Sequence, residues 1–371
     1  MDVGFEDVSG KITDGLFHID MTGADLRIEE DYFPIATSIM AITWDPAEGQ
    51  FTMDETQFTI GPSTAWVKGV YRLGLDELYG PVVSMSMQAR DVSIGSEQGA
   101  PKEPFSKMVF QGWSAPLYGA TGIDQFSAEK ADGAQLASTG RVDMLRRGMG
   151  FDMTIAGDGV TADDLKRLWP YFVAPEARTW FVQNVTGGKL KSSSMRYSFP
   201  VGTVPEPGDP PKALPKNSIQ IDLIGENVKI VPVDGFSPIS LDGETRLQMK
   251  DSNLVVSGQG ATVSTSLGDI AIANIGFTMG SSDPNRQVLE ISGDLSGRIS
   301  SLVALLKEQQ PEAIEGNELP VDIEALKGQL SLSLVSTIVL DGAGETTSLD
   351  YAVNGVIQDF ASTDPIESFT I

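Results

Sequence analysis

The 371-residue chain contains no cysteine and a single histidine, His18. The first absence excludes disulfides, zinc–thiolate sites and cysteine nucleophiles. The second leaves a serine–histidine–acid arrangement only one possible base, and no Gly-x-Ser-x-Gly elbow accompanies it. His18 falls on the polar side of an alternating segment, where a solvated surface histidine is expected. One histidine cannot build a histidine-rich metal site. There is no EF-hand loop, no Gly-x-x-x-x-Gly-Lys run and no dinucleotide fingerprint, so no metal, cofactor or catalytic residue is implied. Basic residues are scarce, 26 against 51 acidic, for a formal charge of −25. Such a chain repels phosphate backbones, and a nucleic-acid partner is not expected.

Long apolar runs are missing too. None approaches the roughly 18–20 residues that span a bilayer; the longest candidate, residues 34–44, is interrupted by Thr37, Ser38 and Thr43. The opening Met1, Asp2, Val3 and Gly4 carry neither the basic region nor the apolar core of a secretory signal. Residues 366–371 read as a strand cut short. We therefore expect an excerpt of a longer protein whose targeting or anchoring segment lies elsewhere. A cysteine-free chain of this length suits an oxidising space such as a periplasm.

What the chain does have is period-2 alternation, the mark of strands that bury one face and wet the other. Phe17, Ile19 and Met21 share one face, as do Met40, Ile42 and Trp44. Met85 and Met87 alternate with Ser84, Ser86 and Gln88. Phe151, Met153 and Ile155 follow, then Met195, Tyr197 and Phe199, then Ile219, Ile221 and Leu223. Leu247 with Met249, and Ile270 with Ile272, continue the series. Leu330, Leu332 and Leu334 against Ser331 and Ser333 give its clearest case. Glycine is abundant (39 residues), and Asp14-Gly15, Asp158-Gly159, Asp234-Gly235, Asp242-Gly243 and Asp341-Gly342 read as turns. No βαβ rhythm is present, so the fold class is mostly β: a long antiparallel meander.

Two places break the rhythm. From Thr161 the chain reads as helix, with Asp164 completing a capping box and Leu165, Leu168 and Trp169 forming an apolar stripe that Pro170 ends. A second short helix starts near Pro175, bearing Ala177, Trp180 and Phe181, and stops before Gly187-Gly188. Trp169 and Trp180 are expected to staple these helices onto the sheet. The other break spans residues 299–309, where Leu302, Leu305 and Leu306 have helical spacing, with a weaker turn over 321–326. Each break returns to a strand through glycine, Gly187-Gly188-Lys189-Leu190 and Gly328-Gln329-Leu330, as in a degenerate internal repeat. The expected organisation is a sheet segment over 1–160, a helical insertion over 161–186, sheet over 187–298, a second insertion over 299–327, and strands over 328–371. The proline-rich residues 204–216 read as an exposed loop.

Residues 165–190 carry Trp169-Pro170, Ala177-Arg178-Thr179-Trp180 and Gly187-Gly188-Lys189-Leu190. This stretch resembles a motif of the AsmA-like superfamily, particularly its large YhdP-type and TamB-type members. The resemblance implies a sheet curled into a U-shaped, lipid-lined groove. It also implies a bridge-like protein, anchored in the bacterial inner membrane, that carries phospholipid across the periplasm toward the outer membrane. The family's N-terminal anchor helix has no counterpart here. On this reading the alternating apolar residues, from Phe17 through Leu334, line the groove and no enzyme activity is expected. Protein partners would sit at the ends of the parent chain. Met40, Met85, Met87, Met195 and Met249 suit a surface that adapts to mobile acyl chains. Two other readings stay open: a structural or adhesive scaffold with a closed, dry core, and a carbohydrate-active enzyme needing two carboxylates converging in one cleft.

Overall fold

The computed structural model describes residues 2–8, 11–21, 24–28, 31–35, 38–95, 102–168, 175–203, 215–231, 238–251, 253–283, 286–309, 325–341 and 346–362. The chain forms two compact units, Met1–Arg178 with Ser192–Gln220, and Thr179–Lys191 with Ile221–Ile371.

The first unit holds β1 (Asp2–Val8), β2 (Lys11–Met21), β3 (Ala24–Ile28), β4 (Asp31–Ile35), β5 (Ser38–Asp45), β6 (Gln50–Ile60), β7 (Ser63–Asp76), β8 (Gly80–Ile94), β9 (Glu103–Ala115), β10 (Ala120–Glu129), β11 (Gln135–Leu145) and β12 (Gly148–Asp158). Helix α1 (Ala162–Leu168) follows, and then α2 (Pro175–Asn184) leads into β13 (Val185–Phe199). From β5 to β12 each strand pairs antiparallel with the next, and β12 pairs with the C-terminal half of β13. The β3–β4 hairpin is an excursion, since β2 pairs directly with β5. The second unit continues with β14 (Ile219–Ile230), β15 (Ile239–Lys250), β16 (Asn253–Thr265), β17 (Gly268–Asp283), β18 (Arg286–Arg298), α3 (Ile299–Gln309), β19 (Leu326–Asp341) and β20 (Thr346–Ser362). Strands β15 to β20 form an antiparallel meander. The expected mostly-β, antiparallel fold with short helical insertions is therefore the one present. In β20 the chain is exposed on both faces, including Tyr351 at 73%.

Helix α1 begins with the expected reciprocal cap: the Asp164 N–H donates to Thr161 Oγ1 (3.1 Å) and the Thr161 N–H to Asp164 Oδ2 (2.9 Å). Helix α3 has the bounds read from its leucine spacing. It is seated by Ser301, whose hydroxyl donates to the Leu267 carbonyl at 3.1 Å, and by Glu308, which accepts from the Ser266 N–H at 3.0 Å. The weaker turn over 321–326 lies mostly outside the described residues, and Leu326 opens β19 instead of ending a helix. Helix α2 closes at Asn184, so sheet resumes at Val185, two residues before the glycines. Trp169 and Pro170, most of residues 204–216, Asp234-Gly235, Gly342 and the side chain of Trp180 lie outside the described residues.

Two Asp-Gly pairs read as turns are something else. Asp14-Gly15 sits inside β2, with Gly15 opposite Phe5. Asp242-Gly243 sits inside β15, where the register slips between Asp242 and Thr245 and Gly243 has φ +71°. A bulge that places glycine in the left-handed region leaves the same local signature as a hairpin turn, so the dipeptide alone cannot separate them. Similar slips interrupt β6, β10 and β17. Each adds a residue on one strand, bends it and steepens the local twist.

The returns from the two helical breaks are equivalent in geometry. Gly188 has φ +122° and Gly328 φ +138°, and each stands near the start of its strand, two residues before a leucine of the same strand. A Cβ at Gly328 would stand 3.1 Å from the Gln358 carbonyl oxygen. Gly328→Val should lower the unfolding free energy by about 1–3 kcal/mol. Gln329→Val, one residue on and exposed, should change it little. Thermal unfolding of the two variants checks this, and equal stability would contradict the geometry.

Candidate functional site: an uncovered apolar face

Residues directly opposite in an antiparallel pair point to the same side, so the registers trace which side chains share a face. In the first unit one row runs Phe17, Ile42, Met53, Gly69, Met87, Phe110, Phe126, Ser138, Ile155, Met195, each opposite the next. The adjacent row runs Trp44, Phe51, Tyr71, Met85, Gly112, Ile123, Gly140, Met153, Tyr197. Ile19 and Met40 pair next to the first row, and Phe151 and Phe199 next to the second, with ring centroids 4.8 Å apart. The opposite face carries Arg72, Ser84, Arg141, Asp152 and Ser198, among others.

In the second unit the same construction gives Met249, Leu254, Met279, Leu289, Ile338 and Leu349 as one row. Leu247, Val256, Phe277 and Ile291 form a second, and Ile272, Leu295, Leu332 and Gly355 a third. Leu330 and Leu334 flank Leu332 on the same face of β19.

These faces are lined by large side chains lying over glycines. Met87 Cγ is 3.1 Å from where a Cβ of Gly69 would stand, Met153 Cγ 2.8 Å from that of Gly140, and Leu332 lies over Gly355. Among the described residues the hydroxyls of Tyr71 and Tyr197 meet thioethers, Met87 Sδ at 3.9 Å and Met195 Sδ at 3.8 Å. Burial pushes both phenols above their ordinary pKa, as an apolar setting must.

Burial is graded along the strands of the first unit. At the α1 end Phe105, Val92 and Ala128 are fully buried in a small core with Met108 and Leu136 packed on it. In the two rows the side chains are mostly half-buried. At the opposite rim, on the same face, Met144 is 62% and Leu75 83% exposed. The face is closed at one end and open at the other.

A buried ionic cluster holds the closed end. Glu103 (0% exposed) and Asp164 (2%) share Lys130, whose Nζ lies 2.5 Å and 2.6 Å from them. Arg167 reaches Glu103 at 2.5 Å and Asp164 at 2.7 Å. Burial opposes ionisation of Asp164, but Lys130 and the Thr161 N–H and hydroxyl outweigh it and hold the carboxyl below its usual value. Desolvation likewise works against the Lys130 ammonium, and the two carboxylates overcome it and raise its pKa.

Every described residue expected to line a groove is on an apolar face or half-buried in its strand. Ile219, Ile221 and Leu223 are half-buried in β14, Leu330 is fully buried, and the side chain of Met21 lies outside the described set. His18 is exposed, as expected. The reading missed Phe51, Met53, Tyr71, Phe110, Ile123 and Phe126. Phe51–Met53 and Met108–Phe110 do alternate, but the bulge between Ile123 and Phe126 shifts the phase and hides the period. Among the described residues no group of three or more histidine, cysteine or carboxylate side chains could hold a metal, and no helix is long and apolar enough to cross a membrane. No protein-family model, curated protein or solved structure matches the chain.

Removing Lys130 while keeping Glu103 and Asp164 leaves two buried charges short of a partner, so Lys130→Met should cost about 3–5 kcal/mol of stability. Because the Asp164 carboxyl is depressed in the folded state, its contribution is complete above the ordinary carboxylate value. It is lost as pH falls through the folded one. Acid titration of the unfolding free energy should show this loss in the wild type and a smaller one in Asp164→Asn.

Proposed function

We propose that the chain is a periplasmic segment of a bridge-like lipid transport protein of the AsmA-like kind. Its apolar faces hold phospholipid acyl chains in transit between the inner and outer membranes. The parent protein would be anchored in the inner membrane, with protein partners at its ends. The observation that carries the reading is the pair of adjacent rows from Phe17 to Met195 and from Trp44 to Tyr197. The first crosses ten strands, apolar but for Ser138, and the second nine, and most of their side chains are left partly exposed by the chain itself. The resemblance of residues 165–190 to the AsmA-like motif points the same way.

The energetics favour a face of this type. A sixteen-carbon acyl chain is held in hydrocarbon by roughly 12 kcal/mol at about 0.8 kcal/mol per methylene, so it does not cross water unaided. A row of apolar side chains lets it move sideways without meeting solvent. Methionine and leucine lying over glycine give a low, deformable wall that fits chains of differing length and unsaturation. Such a face conducts without setting direction; net flow needs a concentration difference or an energised partner.

Mass spectrometry of the organic extract of gently purified protein tests the reading. Glycerophospholipid should be present, and Met87→Asp or Leu332→Asp should reduce it severalfold, because a carboxylate facing hydrocarbon is strongly disfavoured. Folded wild-type protein whose extract holds no lipid would count against acyl-chain binding and favour a dry scaffold.

A further inference from the structure

We propose that the β11–β12 hairpin tip is a phosphate-binding lip for the lipid headgroup, built on Arg146 and Arg147; this rests on the acyl-chain reading above. The two arginines are consecutive and exposed, between Leu145 and Gly148. Among the described residues neither guanidinium makes an ion pair or hydrogen bond. Five other described arginines are paired with acids, Arg90 with Glu55, Arg141 with Asp143, Arg167 with Glu103, Arg196 with Asp152 and Arg246 with Asp222; Arg298, like this pair, is not. In a chain of net charge −25, two consecutive exposed arginines that pair with no carboxylate among the described residues make a local positive patch that asks for a role.

Their surroundings supply one. The neighbouring tips, residues 116–119 and 200–203, contain no charged side chain. Backbone bonds hold them against the arginine tip: the Met144 N–H donates to the Gly119 carbonyl at 2.7 Å and the Gly202 N–H to the Met149 carbonyl at 3.1 Å. Met144 and Met149, which bracket the pair, point to the apolar face and lie at its open rim. An acyl chain leaving the half-buried rows there emerges beside two free guanidinium forks. Those forks match phosphate oxygens in pairs, and they reverse locally the repulsion the rest of the chain exerts on anions.

The test uses the full chain and two fluorescent probes with the same acyl chains, a phosphatidylglycerol and the matched diacylglycerol. Wild type should bind the phospholipid more tightly. The Arg146→Gln/Arg147→Gln double variant should bind it about tenfold more weakly while holding the diacylglycerol unchanged, since only the charge-assisted contacts are lost. A variant that keeps the wild-type preference, or a wild type that binds both probes equally, overturns the lip and leaves the acyl-chain reading standing. A wild type that binds neither probe overturns both. Inorganic phosphate should not displace the phospholipid at millimolar concentration; if it does, and binds the lipid-free wild type but not the variant, the site is one for free anions and not a headgroup lip.

Discussion

Antiparallel pairing puts opposite residues on the same side of a sheet, and everything else in this molecule depends on that constraint. Once β5 to β12 are in register, a methionine on one strand fixes what must stand beside it on the next. The outcome is a face whose character is carried across strands as rows, not held in any single segment. A bulge adds a residue to one strand and shifts its phase, so a row survives only where the apolar positions of that strand shift with it. In β17 they do: Ile272 and Phe277 straddle the bulge five residues apart, and both meet apolar residues of β18 four apart, Leu295 and Ile291.

A face this broad demands cover, and the chain supplies little. Sixteen apolar side chains are fully buried among the described residues, and seven of those are alanine. Stability must therefore rest on backbone ladders, cross-strand contacts and local anchors, with no thick core to draw on. The buried ionic cluster under α1 is one such anchor. A buried pair of this type contributes less net stability than its geometry suggests, because desolvation offsets attraction, but it punishes the loss of either partner. Its role fits its place: it fixes where the face ends, while the opposite rim stays open.

Much of this was legible in the residues. Serine alternating with leucine in 330–334 and with methionine in 84–88 states a one-sided strand plainly, and the cap at Thr161 and the leucine spacing of α3 are local signals that the fold respects. Asp242-Gly243 shows the limit of local reading, since a left-handed glycine serves a bulge as well as a turn. Phe126 and Tyr71 stayed hidden for a related reason: their membership of the face is a property of register, and register is set by partners distant in sequence. The ionic cluster was equally unreadable, because Glu103, Lys130 and Asp164 come together only when β9, the β10–β11 turn and α1 meet.

The central claim is that the half-covered rows are occupied by hydrocarbon from outside the chain. The most direct measurement places a photo-activatable side chain at Met87 or Met153 in one set of proteins and at Ser86 or Asp152 in another, irradiates cells grown with radioactive phosphate, and reads label on the purified protein. Label at the first two positions and none at the second two is the predicted result. Label at neither pair, or at both alike, would contradict the account.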